Sequence, residues 1–200
     1  EGKDEFPSCK TDSLNHIYIC GTTNSTTNIA TPGSMNPVFL GLSDGFFAAF
    51  DSVGNRLWGT YYGGALADKI SDISSDSAGN LYFIGGTSSP TGIATVGAFQ
   101  PNLINLANLC IGELNSLGER IWGSYYGGGG EASSSCYIDS RKGAVYYSGW
   151  SDNSSSIALL VSSGAYQTVW GGGGYDAFMV KFDINGQRIW GSLYGGSGAD

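Results

Sequence analysis

His16 is the single histidine in 200 residues, so any Ser/His/Asp or Cys/His nucleophile would have to use it. It stands at the edge of a turn, aligned with Asn80 and Ala144 in two similar segments, which is the profile of a solvated turn residue. The four cysteines, Cys9, Cys20, Cys110 and Cys136, form no C-x-x-C pair, and one histidine cannot complete a zinc set with them. Their even number leaves disulfides open. Seventeen Asp and Glu are enough for the paired carboxylates of glycoside chemistry, yet no pair is singled out by its setting. Gly-Gly steps at Gly63–Gly64, Gly127–Gly128 and Gly195–Gly196 are followed by neither the lysine nor the helix of a phosphate loop. The sequence therefore offers no catalytic residue, no metal set and no cofactor site.

Nine Lys and Arg against those seventeen acids give a formal charge of −8. A nucleic-acid surface needs clustered basic residues that displace counterions, and no such cluster is present. An anionic membrane surface is disfavoured for the same reason. No stretch approaches the roughly 18 apolar residues of a spanning helix, so membrane insertion is not expected. No secretory signal opens the sequence; a cytosolic chain, a processed one, or part of something longer all fit. The composition, 33 Gly with 12 Tyr, 9 Phe and 5 Trp, favours many short strands joined by tight turns around a packed core.

The elements that must position these residues repeat. RLWGTYYGG (Arg56–Gly64) returns as RIWGSYYGG (Arg120–Gly128) and as RIWGSLYGG (Arg188–Gly196). Working outward, residues 1–64, 65–128 and 129–196 align as three units, and residues 197–200 match the opening of a fourth. Each unit reads as four strands. The first is weakly patterned (EFPSCK, KISDISS, SSSCYI). A turn follows, DSLNH, DSAGN or SRKGA, with Asp12, Asp76 or Ser140 at its first position and Asn15, Gly79 or Gly143 three residues on. That suits a type I turn followed by a left-handed residue. The second strand, IYICG, LYFIG or VYYSG, is apolar on both faces and is expected to be covered on both. A long segment then leads to a third strand (FFAAF, LCIGEL, FMVKF), and a second turn of the same chemistry hands over to the fourth. On that strand, period two puts Arg56, Trp58, Thr60 and Tyr62 on one face, and Leu57, Gly59 and Tyr61 on the other. Trp58, Tyr62, Trp122, Tyr126, Trp190 and Tyr194 then form a repeated packing ladder, with the Arg guanidinium able to stack across the Trp. A repeated aromatic ligand platform is the alternative. Recurrence in every unit favours packing, since most ligand sites are single.

Four antiparallel strands per unit, with sheet faces covered by neighbouring sheets, describe the blade of a β-propeller. DSAGN (Asp76–Asn80), GNLYFIGGTSS (Gly79–Ser89), IATVGAFQ (Ile93–Gln100) and YDAFMVKFDINGQRIWGSLYGG (Tyr175–Gly196) resemble the SBBP family of β-propeller repeats. The resemblance covers essentially the whole chain. It implies an all-β chain of three blades in a secreted or surface-exposed bacterial protein, and says little of function. Unit two departs from it with Asn108 and Cys110, where the others have Asp44 and Phe46, or Asp176 and Phe178. Unit three has Ala132 where Asp4, Asp68 and Asp200 stand elsewhere. A metal site in every blade would not survive such losses. These aspartates are expected instead to satisfy backbone N–H groups at strand entrances.

The segments between second and third strands, from Thr22 to Ser43, Gly86 to Ala107 and Trp150 to Tyr175, are where a contact site would sit. IATPGSMNP and IATVGAFQP align, so part of each segment is a fixed element. Unit three departs most, with Trp150, Tyr166 and Trp170 beside Gly171–Gly174. These are candidates for a protein or sugar contact, against the alternative of buried packing. Ser13, Ser52 and Ser77 stand in Asp-Ser-apolar triplets, which resemble the O-glycan acceptor motif of bacteria that use this repeat family. The same triplets start type I turns unaided. Asn24-Ser-Thr and Asn153-Ser-Ser fit an N-glycan sequon, the weaker case for a bacterial chain. Pairing Asp12 with His16 sets Cys9 opposite Ile19 and Ser8 opposite Cys20, so Cys9 and Cys20 face opposite ways and stay unbonded. Cys110 and Cys136 are expected to be free, buried thiols.

The expected function is a non-catalytic, extracellular or bacterial cell-surface β-propeller segment that binds protein or glycan, adheres, or spaces. An accessory or catalytic propeller domain of a secreted hydrolase is one alternative; a structural part of a surface filament or stalk is another. Closed rings use about four to eight blades. Further repeats, or other copies of the chain, are therefore expected to complete this one.

Overall fold

The computed structural model describes residues 3–129, 131–139, 142–152 and 157–198. Sheet one is β1 (Asp4–Thr11), β2 (Ile17–Thr23), β3 (Asp44–Phe50) and β4 (Arg56–Tyr62). Sheet two is β5 (Asp68–Ser75), β6 (Leu81–Thr87), β7 (Asn108–Leu114) and β8 (Arg120–Tyr126). Sheet three is β9 (Glu131–Asp139), β10 (Ala144–Ser151), β11 (Asp176–Asp183) and β12 (Arg188–Tyr194). Each is antiparallel in sequence order, and the described helix is a single turn, α1 (Ile157–Leu160). The chain is all-β, in three blade-like sheets.

The turns form for the reason their residues suggest. Asp12 Oδ1 accepts from Leu14 N and His16 N, and Asp76 Oδ1 from Ala78 N and Asn80 N. Asp51, Asn115 and Asp183 do the same in the second turn of each unit. The residue needing positive φ is Asn15, Gly79 or Gly143 in the first turn, and Gly54, Gly118 or Gly186 in the second. Unit three differs from the sequence alignment in one respect. Its first turn closes from Lys142 N to Asp139 O, so it opens at Asp139, not Ser140. That slip carries along β9 and sets Glu131 opposite Ser151, where Asp4 meets Thr23 and Asp68 meets Thr87. The residue in register with Asp4 and Asp68 is therefore Glu131, not Ala132 as the sequence alignment places it.

A second correction concerns the fourth strand. Pairing skips Leu57, Ile121 and Ile189, each an extra residue in a bulge between the Arg and the Trp of the motif. A bulge resets the alternation, so Arg and Trp do not share a face. Arg120 reaches back over the Tyr62 ring of sheet one at 5.9 Å, whereas Trp122 Nε1 reaches forward to Ile184 O of sheet three. The guanidinium stacks on that Tyr, and on Phe99 in the case of Arg188, not on the Trp.

The sheets stack in order, with one apolar core at each junction. Tyr18, Phe47, Trp58 and Tyr62 of sheet one meet Ile73, Phe83, Cys110 and Leu114 of sheet two. Tyr82, Ile111, Trp122 and Tyr126 of sheet two meet Val145, Tyr147, Phe178 and Phe182 of sheet three. The second strand is covered on both faces from Leu81 to Gly85 in sheet two; in sheet one Ile17 and Ile19 remain partly exposed, because no sheet among the described residues packs behind them. The innermost strands lie side by side, joined at Asp72. Its carboxylate accepts from Ser8 Oγ of sheet one (2.6 Å), and from Ser135 Oγ (3.2 Å) and Cys136 N (3.0 Å) of sheet three.

At the outer side, the long segment after each second strand folds over the edge of the fourth. Thr31 N, Thr95 N and Ser162 N donate to Gly59 O, Gly123 O and Gly191 O, each at 2.9 Å. The Gly of each W-G step is required by this approach: a Cβ there would stand 2.1–2.4 Å from the carbonyl oxygen of Ile29, Ile93 or Leu160. The segment thus protects an edge that would otherwise pair with foreign strands. The predicted cysteine register holds, with Cys9 opposite Ile19 and Ser8 opposite Cys20. All four thiols are free; Cys9 is exposed and the others are buried.

Candidate functional site

The aromatic ladder is sealed twice and open once. Tyr62 and Tyr126 are 0% exposed, whereas Tyr194, at the same step of sheet three, is 70% exposed. Phe47 and Ile111 are likewise fully buried, while Met179 in their place is half-exposed. Around Met179, Ile189, Trp190 and Tyr194 the outward face of sheet three forms an open concavity of about 880 Å³, with Tyr166 on its rim. Its lining is mostly apolar, broken by the hydroxyls of Ser148, Ser162 and Ser192. Tyr166 is 84% exposed and stacks on Tyr194, ring centres 6.1 Å apart. Trp190 packs edge-on against Tyr146, whose ring also carries the Lys181 ammonium at 5.6 Å.

The three aromatics singled out in unit three are not brought together. Tyr166 belongs to this concavity. Trp150 pairs edge-on with Tyr175 at 4.5 Å elsewhere on the sheet, and Trp170 is partly buried against the core between sheets two and three. Tyr194 and Trp190, read from sequence as packing residues, are the ones that line the opening. Ser13, Ser52 and Ser77 are exposed on their turns. Ser13 Oγ donates to Ser77 O at 3.4 Å, tying the first turns of units one and two. Asn24 is exposed and its side chain accepts from Lys3 N; Asn153 lies outside the described residues.

The groups that could do chemistry are held in structural bonds. His16 Nδ1 meets Asp12 Oδ2 at 2.9 Å, and Tyr18 Oη donates to the same oxygen at 3.0 Å. Burial, which favours the neutral carboxyl, is outweighed by the bonds from His16, Tyr18 and Leu14, and the Asp12 pKa is lowered. Among the described residues no Ser or Cys bonds to the imidazole. Burial pushes the Cys20 thiol up to about 12 and raises Cys110 and Cys136 as well, which opposes nucleophilic use. Asp44 accepts from Leu40 N and Gly41 N, Asp68 from Gly64 N and Ser89 Oγ, and Asp176 from Gly171 N. Asp44, Asp68 and Asp176 thus cap backbone N–H groups as expected, whereas Asp4 accepts from the hydroxyls of Thr23 and Ser25, and Asp200 lies outside the described residues. Among the described residues, no three His, Cys, Asp or Glu side chains gather as a metal set.

Sequence reasoning missed Glu113. It occupies the place of Ala49 and Lys181 on β7, is buried between sheets two and three, and accepts from Trp122 Nε1 at 2.8 Å. Burial raises its pKa, against the bonds from Tyr82 and Trp122. The signal available was its position between apolar neighbours on a strand whose other face is also apolar.

No protein-family model and no curated protein matches this chain. An apolar floor with two rigid phenols at its rim suits the side chains of another protein surface.

Proposed function

We propose that this chain is a non-catalytic β-propeller segment of a bacterial surface protein, acting by binding another protein through the outward face of sheet three. The observation that carries this is the exposure of Tyr194 and Met179 at steps of a ladder that is fully buried twice in the same chain. An exposed aromatic patch of this kind marks an interaction surface. The order of strands, the stacking of the sheets and the repeated turn chemistry support the blade reading. Exposure of Ser13, Ser52 and Ser77 is compatible with their carrying O-glycans. The test is adhesion of chain-coated beads to surfaces bearing protein or polysaccharide. Retention on protein is expected, falling at least tenfold (about 1.4 kcal/mol) in a Tyr166→Ser, Tyr194→Ser double variant. Retention indifferent to both tyrosines, or turnover of the polysaccharide, would contradict the reading.

A further inference from the structure

The chain holds two junctions of one design. Between sheets one and two, Trp58 Nε1 donates to Ser116 O at 2.9 Å, and its ring sits where a Cβ on Gly118 would stand, 2.7 Å away. Tyr62 Oη donates to Ile93 O at 3.4 Å, under the Arg120 guanidinium. Between sheets two and three, Trp122 donates to Ile184 O at 3.0 Å with its ring against Gly186, and Tyr126 Oη donates to Leu160 O at 2.7 Å. The donors always stand on one sheet and the acceptors on the next.

The two ends of the chain carry the halves of a third such junction. On sheet three, Trp190 Nε1 and Tyr194 Oη have no hydrogen-bond partner among the described residues. On sheet one, Ser52 O stands at the position of Ser116 O and Ile184 O, and Ile29 O at that of Ile93 O and Leu160 O. Arg56 grips its loop through Asn28 O at 2.7 Å, as Arg120 grips Gly92 O. The turn seat is vacant: a Cβ on Gly54 would meet nothing within 4 Å, where Gly118 and Gly186 are filled by an indole. Behind it Ile17, Ile19 and Phe50 are partly exposed, where Leu81, Phe83 and Leu114 are fully buried.

We infer that the outward face of sheet three docks on the outward face of sheet one of a second copy of this chain. Trp190 seats at Gly54 with its N–H on Ser52 O, and Tyr194 Oη meets Ile29 O beneath Arg56. A second copy is the fitting occupant because one chain carries both halves and already joins such halves twice. The contact is head to tail, so it repeats; it closes into a ring if the rotation allows, and otherwise extends. The inference rests on the protein-binding reading of this face and names its partner.

Two substitutions block one half each. Tyr194→Glu places a carboxylate on the donor half. Gly54→Asn fills the vacant seat with a residue that tolerates positive φ. Both side chains would stand at exposed positions of a single copy, and circular dichroism checks that each variant folds. In light scattering and sedimentation across a concentration series, the wild type is expected at twice the chain mass or more, and each variant alone at the monomer mass. An equimolar mixture of the variants is expected to form a complex of two copies, since one still offers the seat and the other the indole. A wild type that stays monomeric overturns the inference, as does association that survives in the Gly54→Asn variant alone. A monomer that still adheres through Tyr194 overturns self-association and leaves the protein-binding reading standing.

Discussion

Two buried carboxylates, Asp72 and Glu113, show what a side chain does at a sheet junction. Asp72 is bonded from both sides, by Ser8 and by Ser135 and Cys136, with the Lys10 ammonium 3.6 Å away, so its oxygens tie three sheets together. At Glu113 burial lifts the carboxyl above the ordinary 4.5, against the bonds from Tyr82 and Trp122. The folded protein therefore holds that proton more tightly than the unfolded chain does. The stability so contributed is full below about pH 4.5 and is lost as pH rises through the raised folded value. Glu113→Gln keeps an acceptor for Trp122 and removes the titration. Melting temperatures followed across pH are expected to show a wild-type decline above pH 4.5, relative to the variant, with the variant at least as stable at neutral pH. A wild type that gains on the variant over that range would contradict this account. Neither residue was legible as a junction contact, because sequence distance hides which acid faces which neighbour. The strand-entrance aspartates were legible, since an acid just before a strand has backbone N–H groups within reach.

At the scale of the element, five of the six turns and the twelve described strands could be read directly, because Asp or Asn at the first turn position and Gly or Asn three residues on admit few backbone conformations. What could not be read was register inside a strand. β9 slips by one residue because Asp139 opens its turn just before Ser140, and the fourth-strand bulge turns Arg120 away from Trp122. Both are choices between backbone pairings one residue apart: on the fourth strand a period-two pattern is silent because both faces are apolar, and in β9 the run of serines gives too little pattern to fix one. The turn glycines offer a paired test of the stacking. Gly54 and Gly118 share a positive φ, so Ala at either strains the backbone by about 1–2 kcal/mol. At Gly118 the added methyl also collides with the Trp58 ring, adding about 1–3 kcal/mol of overpacking, while at Gly54 it meets open space. Denaturant titration of the isolated chain is expected to show Gly118→Ala as clearly the more destabilised. Equal losses would mean that Trp58 does not pack on the turn of the next sheet.

For the molecule as a whole, each sheet is finished by its neighbour: an indole and a phenol from one, a turn carbonyl, a loop carbonyl and a glycine from the next. That rule accounts for the burial of the two central strands of sheet two, the partly exposed isoleucines of sheet one and the open aromatic face of sheet three. The likeness of the three units was plain in the sequence, but the direction of the junction was not, since a ladder of Trp and Tyr does not say which side it serves. The indole N–H groups report that direction. Hydrogen exchange of the tryptophan side chains can be followed by NMR in the Gly54→Asn variant, which keeps copies apart, with each indole assigned by a Trp→Phe replacement. The Trp58 and Trp122 Nε1 protons, bonded to Ser116 O and Ile184 O, are expected to be strongly protected, and that of Trp190 to exchange rapidly. Trp58 or Trp122 exchanging as fast as Trp190 would contradict the stacking from which the account is built.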